Sequence, residues 1–184
     1  AAEDKNFYSH PGIDFPGVAR AALTNIIQVG RNRRPVGAST ITQQVAKNFL
    51  LTNEVSIARK VKEAILAFRI EHAFSKDRIL ELYLNEIYLG FGSYGVAAAS
   101  LNYFNKSMDE LSTEEVAYLA ALPKAPNNYH PIRNVRAALG RRNWVISRME
   151  KEGFIPSIQA SRARKIPLVV RPRKDTLLVR AEYF

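Results

Sequence analysis

Three short stretches of this chain hold residue types that could do chemistry, two around acidic residues and one suited to an anionic, oxygen-rich ligand. The first is Glu3-Asp4, followed by Phe7, His10 and Gly12. The second runs from Gly37 to Asn48, Gly-Ala-Ser-Thr-Ile-Thr-Gln-Gln-Val-Ala-Lys-Asn. The third is Arg59-Lys60-Val61-Lys62-Glu63. In the second stretch, Thr40 and Gln43 have capping-box spacing and open a helix. Ile41, Val45 and Phe49 repeat at helical intervals and are expected to form its core stripe. Thr40, Gln43, Gln44 and Lys47 share a different, polar face. A helix N-terminus with hydroxyls, amides and a lysine suits an anion. A well-capped surface helix accounts for the same pattern on the residues alone.

The two acidic stretches are also open to plain readings. Val61 to Glu63 is a turn of about 200° on a helix, so Glu63 is expected to point away from the apolar stripe of its own segment. Arg59 and Lys60, four and three residues earlier, can reach its carboxylate. An exposed ion pair of that kind is worth little. Glu3 and Asp4 equally fit a solvated chain end. Three histidines, His10, His72 and His130, have no ligand spacing, and His10 reads as a structural hydrogen-bonding residue. Asn85 is expected to be buried and satisfied by a neighbouring loop. Tyr83, Tyr88, Phe91 and Tyr94 read as core and groove lining.

Helices must position these residues, because the pattern is helical nearly throughout. Pro16 to Val29 repeats Val18, Ala21, Ala22, Ile26 and Val29. A break from Val29 to Gly37 carries Arg31, Arg33 and Arg34 and reads as an exposed loop. A helix from about Thr40 to Leu51 follows, then a long one from Glu54 to about Phe74. The latter's expected core stripe is Ile57, Val61, Ala64, Ile65 and Phe68. Lys76 to Leu89 is apolar on most sides and predicts a central, buried helix. Tyr94 to Phe104 is short and alanine-rich. Ser112 and Glu115 form a second capping box, opening a helix that ends at Leu122-Pro123. Lys124 to Pro131 should be extended. Arg133 to Lys151 is helical again and stops at Gly153. Ile166 to Phe184 is β-prone and arginine-rich, a linker or the edge of another domain.

The bulk numbers exclude several classes. With 184 residues and 47% hydrophobic content, the chain can bury one real core. It has no cysteine, so neither a disulfide scaffold nor a thiolate metal site is available. No apolar run approaches the roughly 20 residues that span a bilayer, and the start at Ala1 reads as a piece cut from a longer protein. The net charge of +10 is uneven: residues 1–130 hold 14 basic and 13 acidic residues, residues 131–184 hold 13 and 4. A basic end suits nucleic acid, an anionic membrane surface or mere solubility. The near-neutral first 130 residues weigh against a nucleic-acid module.

Taken in order, the stretches resemble the peptidoglycan glycosyltransferase domain of class A penicillin-binding proteins and their monofunctional relatives. Glu3-Asp4-x-x-Phe7-x-x-His10-x-Gly12 is similar to the family's first motif. The second is matched by Gly37-x-Ser39-Thr40-Ile41-Thr42-Gln43-Gln44 with Lys47-Asn48. The third is matched by Arg59-Lys60-x-Lys62-Glu63, and the fourth by Ile79-Leu80-Glu81-Leu82-Tyr83-Leu84-Asn85. Glu115-x-Ala117-x-Leu119-Ala120, running into Leu122-Pro123-Lys124-Ala125-Pro126, resembles the fifth. Five motifs in order cover roughly residues 1–155. The run from Arg141-Arg142-Asn143 to Gly153-Phe154-Ile155 looks more like the bifunctional members, in which a transpeptidase domain follows and a membrane helix precedes.

The resemblance implies an all-α, lysozyme-like, two-lobed domain with an extended, β-prone tail, the domain at 1–160 and a linker or following domain at 161–184. It implies polymerisation of lipid II into β-1,4-linked glycan with inversion and release of lipid diphosphate, at the outer face of the bacterial cytoplasmic membrane. Glu3 is then the base on the acceptor hydroxyl. Glu63 lies on the leaving-group side, and Asp4, Ser39, Thr40, Gln43, Gln44, Lys47, Asn48, Arg59, Lys60 and Lys62 bind substrate. Partial burial beside Asp4 is expected to raise the pKa of Glu3. A divalent cation, Mg or Mn, is expected with the diphosphate, but no protein metal site and no organic cofactor. Lipid II, the growing strand, the membrane surface and other cell-wall synthesis proteins are the expected partners, and nucleic acid is not. Relatives commonly carry a basic residue where this chain has Val55, which shifts that charge to the Arg31–Arg34 loop or weakens donor binding. A lysozyme-like peptidoglycan hydrolase is the rival enzyme, but it has no use for a diphosphate-binding basic cluster.

Overall fold

The computed structural model describes residues 2–28, 37–50 and 56–171. The Arg31–Arg34 loop, Glu54, Val55 and the tail beyond Arg171 lie outside them. Among the described residues the chain is helical with no β-strand, apart from one isolated bridge between Tyr88 and Tyr94. It forms two compact units, Ala1–Glu86 and Ile87–Phe184.

The first unit holds α1 (Phe15–Ile27), α2 (Ile41–Leu50), α3 (Ile57–Ala73) and α4 (Lys76–Glu86). Asp14 caps α1 by accepting from the Gly17 N–H. The Thr40–Gln43 box opens α2 in both directions: the Thr40 N–H donates to Gln43 Oε1 at 3.0 Å, and the Gln43 N–H to Thr40 Oγ1 at 3.1 Å. Ser56 caps α3 through the Arg59 N–H. Helix α2 is central, packing on both α3 and α4. Ile41, Val45 and Ala46 are its buried apolar residues, whereas Phe49, expected in the core, is 48% exposed.

Helix α3 inverts the sequence expectation. Its apolar stripe of Ile57, Val61, Ile65 and Phe68 is exposed, and its buried residues are Glu63, Ala67 and Ile70. The carboxylates on this helix find partners inside the unit, so the face bearing them is the one that packs. Helix α4 is not buried all round. It buries Ile79 and Tyr83, and Asn85 is exposed rather than held inside. Helix α1 buries only Ala21; Phe15, Leu23, Ile26 and Ile27 are each more than 60% exposed.

The second unit holds α5 (Val96–Phe104), α6 (Thr113–Leu119), α7 (Val135–Lys151) and α8 (Ser157–Lys165). The Ser112–Glu115 capping box is present, and Gly153, at φ +77°, follows α7. Tyr103, Phe104 and Tyr118 stack edge-on in the core. Lys124–Pro131, expected to be extended, is instead turned: the Asn128 and Tyr129 N–H groups both donate to the Ala125 carbonyl. The Asn and Pro residues there make turns because their neighbours' backbone groups find local partners.

His130 closes these turns. It is buried, and its Nδ1 accepts from the Ile132 and Arg133 N–H groups. Burial, and then the Arg133 charge, holds its pKa below the ordinary histidine value of 6.5. The unfolded chain therefore binds more protons between the two values. Stability is complete above the unfolded pKa and is lost as pH falls towards and through the folded one. Denaturant titrations at neutral and mildly acidic pH should show this loss, and His130→Asn should flatten it. An equal acid-side loss in His130→Asn would contradict the assignment.

Candidate functional site

The described parts of the first three sequence stretches meet within the first unit. Asp4 is buried against the start of α2, where its Oδ2 accepts the Ile41 N–H at 3.0 Å. A carboxylate at that place satisfies a free helix donor and complements the helix dipole. The same oxygen pairs with His10 Nε2 at 2.9 Å. The Gly12 N–H points at His10 Nδ1 at 3.1 Å, so Nδ1 accepts and Nε2 carries the proton that goes to Asp4. His10 is thus the structural hydrogen-bonding residue its sequence suggested. Thr40 Oγ1 donates to the Gly12 carbonyl at 2.6 Å. These bonds fix the segment that carries Glu3, which is itself half-buried.

The second anchor lies beneath this segment. Glu71 Oε1 accepts from Thr42 Oγ1 at 2.5 Å and from Lys76 Nζ at 2.7 Å, and Lys76 also donates to the His10 carbonyl at 2.6 Å. Thr42 appeared in the sequence only within the second motif, and neither it nor Glu71 nor Lys76 was assigned a role there. The available signal is the spacing Glu63, Ala67, Glu71, which puts two carboxylates on one face of α3 around a small residue. Gly12 closes the arrangement. It has φ +93°, and a Cβ there would lie 3.0 Å from the Ala67 carbonyl oxygen and 3.0 Å from Glu71 Cγ. Gly12→Ala should cost about 2–4 kcal/mol through left-handed strain and overpacking. A wild-type urea midpoint for that variant would refute the close approach.

The cationic cluster is built on α3. Glu63 is 2% exposed and is bonded by Arg59 Nη1 at one oxygen and Lys60 Nζ at the other. It is therefore not the exposed ion pair its spacing permitted. Lys60 Nζ also donates to Ser39 Oγ at 2.7 Å, joining the second and third stretches. Arg59 and Lys60 set two cations against the one Glu63 carboxylate. Thr40 and Gln43 are buried in the cap, not spread on an open polar face. Gln44 is half-buried, and Lys47, Asn48 and Lys62 are exposed and take no part in these bonds.

A divalent cation finds no ready protein cage. Among the described residues no three His, Cys, Asp or Glu side chains gather as ligands, and both Glu63 oxygens are taken by cationic groups.

The model of one protein family, described as Transglycosylase, matches residues 1–150. The chain belongs to the transglycosylase family. Its resemblance to the glycosyltransferase domain of class A penicillin-binding proteins is borne out by relatives and fold together. Penicillin-binding protein 1A of Rickettsia felis is 55% identical over all of this chain and 23% of its own length. That of Aquifex aeolicus is 50% identical over all of the chain and 25% of its own length. A crystal structure of penicillin-binding protein 1A from Haemophilus influenzae matches with TM-score 0.51 at 38% identity, over 77% of this chain and 18% of that one. This transglycosylase domain therefore spans about a quarter of the length of the curated relatives named. The all-α, lysozyme-like fold expected of the family is the one found.

Proposed function

We propose that this transglycosylase domain polymerises lipid II into β-1,4-linked glycan by one inverting displacement, in bacterial cell-wall synthesis. The observation that carries the reading is the pair of anchors on α2. At its N-terminus Asp4 holds the Glu3 segment, and beside it Ser39 meets the Lys60–Glu63–Arg59 cluster. Glu3 takes the proton of the acceptor's 4-hydroxyl as that oxygen attacks the anomeric carbon of the donor. The bond from that carbon to the diphosphate breaks, and the lipid diphosphate leaves as an anion. General base catalysis requires an ionised carboxylate within reach of the hydroxyl. The departing charge requires preorganised cations, supplied by Arg59 and Lys60, with the exposed Lys62 beside them on α3. Lys47 and Asn48, exposed on α2, extend this wall towards the donor, with the half-buried Ser39 and Gln44 as its polar lining and Thr40 and Gln43 holding the cap behind it.

The buried Glu63 has a definite task in this scheme. Bonded by both Arg59 and Lys60, it holds two flexible cations in one place before substrate arrives. Preorganisation of this kind lowers the cost of meeting the diphosphate.

A lipid substrate also accounts for the exposed apolar residues. Among the described residues no helix is long and apolar enough to cross a membrane. Phe15, Leu23, Ile26 and Ile27 of α1 instead offer an apolar surface to the bilayer interface. The reading places the domain at the outer face of the bacterial cytoplasmic membrane, in a parent protein with a transpeptidase domain, beside other cell-wall synthesis proteins.

The test is product analysis with two substrates. Lipid II should yield polymer and free lipid diphosphate, while preformed peptidoglycan should stay intact. Soluble sugar fragments from peptidoglycan, with no polymer from lipid II, would establish the lysozyme-like hydrolase instead.

A further inference from the structure

Among the described residues of the first unit, two buried side-chain atoms have no hydrogen-bond partner, Arg59 Nε and the Tyr83 hydroxyl; Arg59 is already held through its Nη1, whereas the Tyr83 side chain has no other polar atom. Lys76, Ile79 and Tyr83 share a face of α4 at helical spacing. Lys76 is tied to the His10 carbonyl, Ile79 is fully buried, and Tyr83 is 4% exposed. The Tyr83 hydroxyl is buried and has no hydrogen-bond partner. By contrast, Asp4, His10, Thr40, Thr42, Gln43 and Glu63 are all bonded. An unpaired buried hydroxyl costs about 1–3 kcal/mol, and its retention calls for an explanation in function.

Its surroundings supply one. Burial, then the Glu3 carboxylate, then the Asp4 carboxylate push the Tyr83 pKa well above the ordinary value of 10.0. The phenol is therefore held as a permanent donor, and the charges acting on it are carboxylates. The Asp4 oxygen Oδ2 already serves His10 and the Ile41 N–H. Glu3 is half-buried on a side chain with three rotatable bonds.

We infer that Tyr83 is a positioning residue, whose buried hydroxyl donates to the Glu3 carboxylate in the substrate-loaded site and fixes it towards the acceptor hydroxyl. Tyr83 keeps its own proton throughout; the acceptor's proton goes to Glu3. The inference rests on the reading of Glu3 as the base.

The experiment compares Tyr83→Phe, Glu3→Gln and wild type in the full-length protein, with lipid II as substrate. Thermal midpoints are recorded alongside kcat and KM. Tyr83→Phe keeps the ring and removes only the unpaired hydroxyl, so its midpoint should be equal or higher. Its kcat should fall about 10- to 100-fold with KM little changed, as expected when a reacting group loses its orientation. A purely structural tyrosine would leave kcat untouched. Wild-type kcat in Tyr83→Phe, a rise confined to KM, or a lowered midpoint would each overturn the inference. If Glu3→Gln is inactive while Tyr83→Phe turns over normally, the role of Tyr83 alone fails. If Glu3→Gln is fully active, the reading of the base fails with it.

Discussion

Glu63→Ala should destabilise the first unit by about 3 kcal/mol and abolish turnover. Removing one member of a buried ion pair strands its partner and costs roughly 3–5 kcal/mol. The low end applies here because only Arg59 is largely buried. The Lys60 side chain is 49% exposed and can return to water, whereas that of Arg59 is 15% exposed. Release of Lys60 also frees Ser39 at the start of α2, so the loss reaches the second stretch as well as the third. Glu63→Gln keeps the shape but loses the charge and one of the two acceptor oxygens, since its amide NH2 only donates, and should fall between wild type and Glu63→Ala. Urea unfolding of the three proteins orders them. Equal midpoints for all three would mean that the cluster contributes nothing to the fold.

Much of the fold was legible from local pattern. The Thr40–Gln43 and Ser112–Glu115 capping boxes were readable because both partners lie within one turn. The Arg59–Lys60–Glu63 contacts were readable for the same reason. What failed was the side of α3 that packs. Ile57, Val61, Ile65 and Phe68 make a regular apolar stripe, and periodicity alone assigns such a stripe to the core. The core face is instead the one bearing Glu63 and Ala67, because charges that are paired can be buried. The bonds that fix this face against the rest of the unit link distant residues: Ser39 with Lys60, Thr42 with Glu71, Lys76 with His10. No local spacing encodes those contacts. Asn85 was misread for a related reason. The apolar residues flanking it suggested a helix buried all round, yet α4 buries one face only. Places where pattern and structure disagree in this way are expected at functional sites.

Glu3→Gln is the substitution with the largest expected effect on turnover. The glutamine is nearly isosteric and cannot take a proton at neutral pH. The neighbouring Asp4 is no substitute, since it is buried and already holds His10 and the Ile41 N–H. Loss of a general base typically removes a factor of about 10²–10⁴. The cap of α2, the His10 tautomer and the Glu63 cluster all stay in place, so stability and donor binding should remain. The most direct measurement is the rate of lipid II polymerisation by folded Glu3→Gln beside wild type, at saturating substrate. The account requires a loss of at least about 100-fold with an unchanged unfolding midpoint. Polymerisation at the wild-type rate would contradict it.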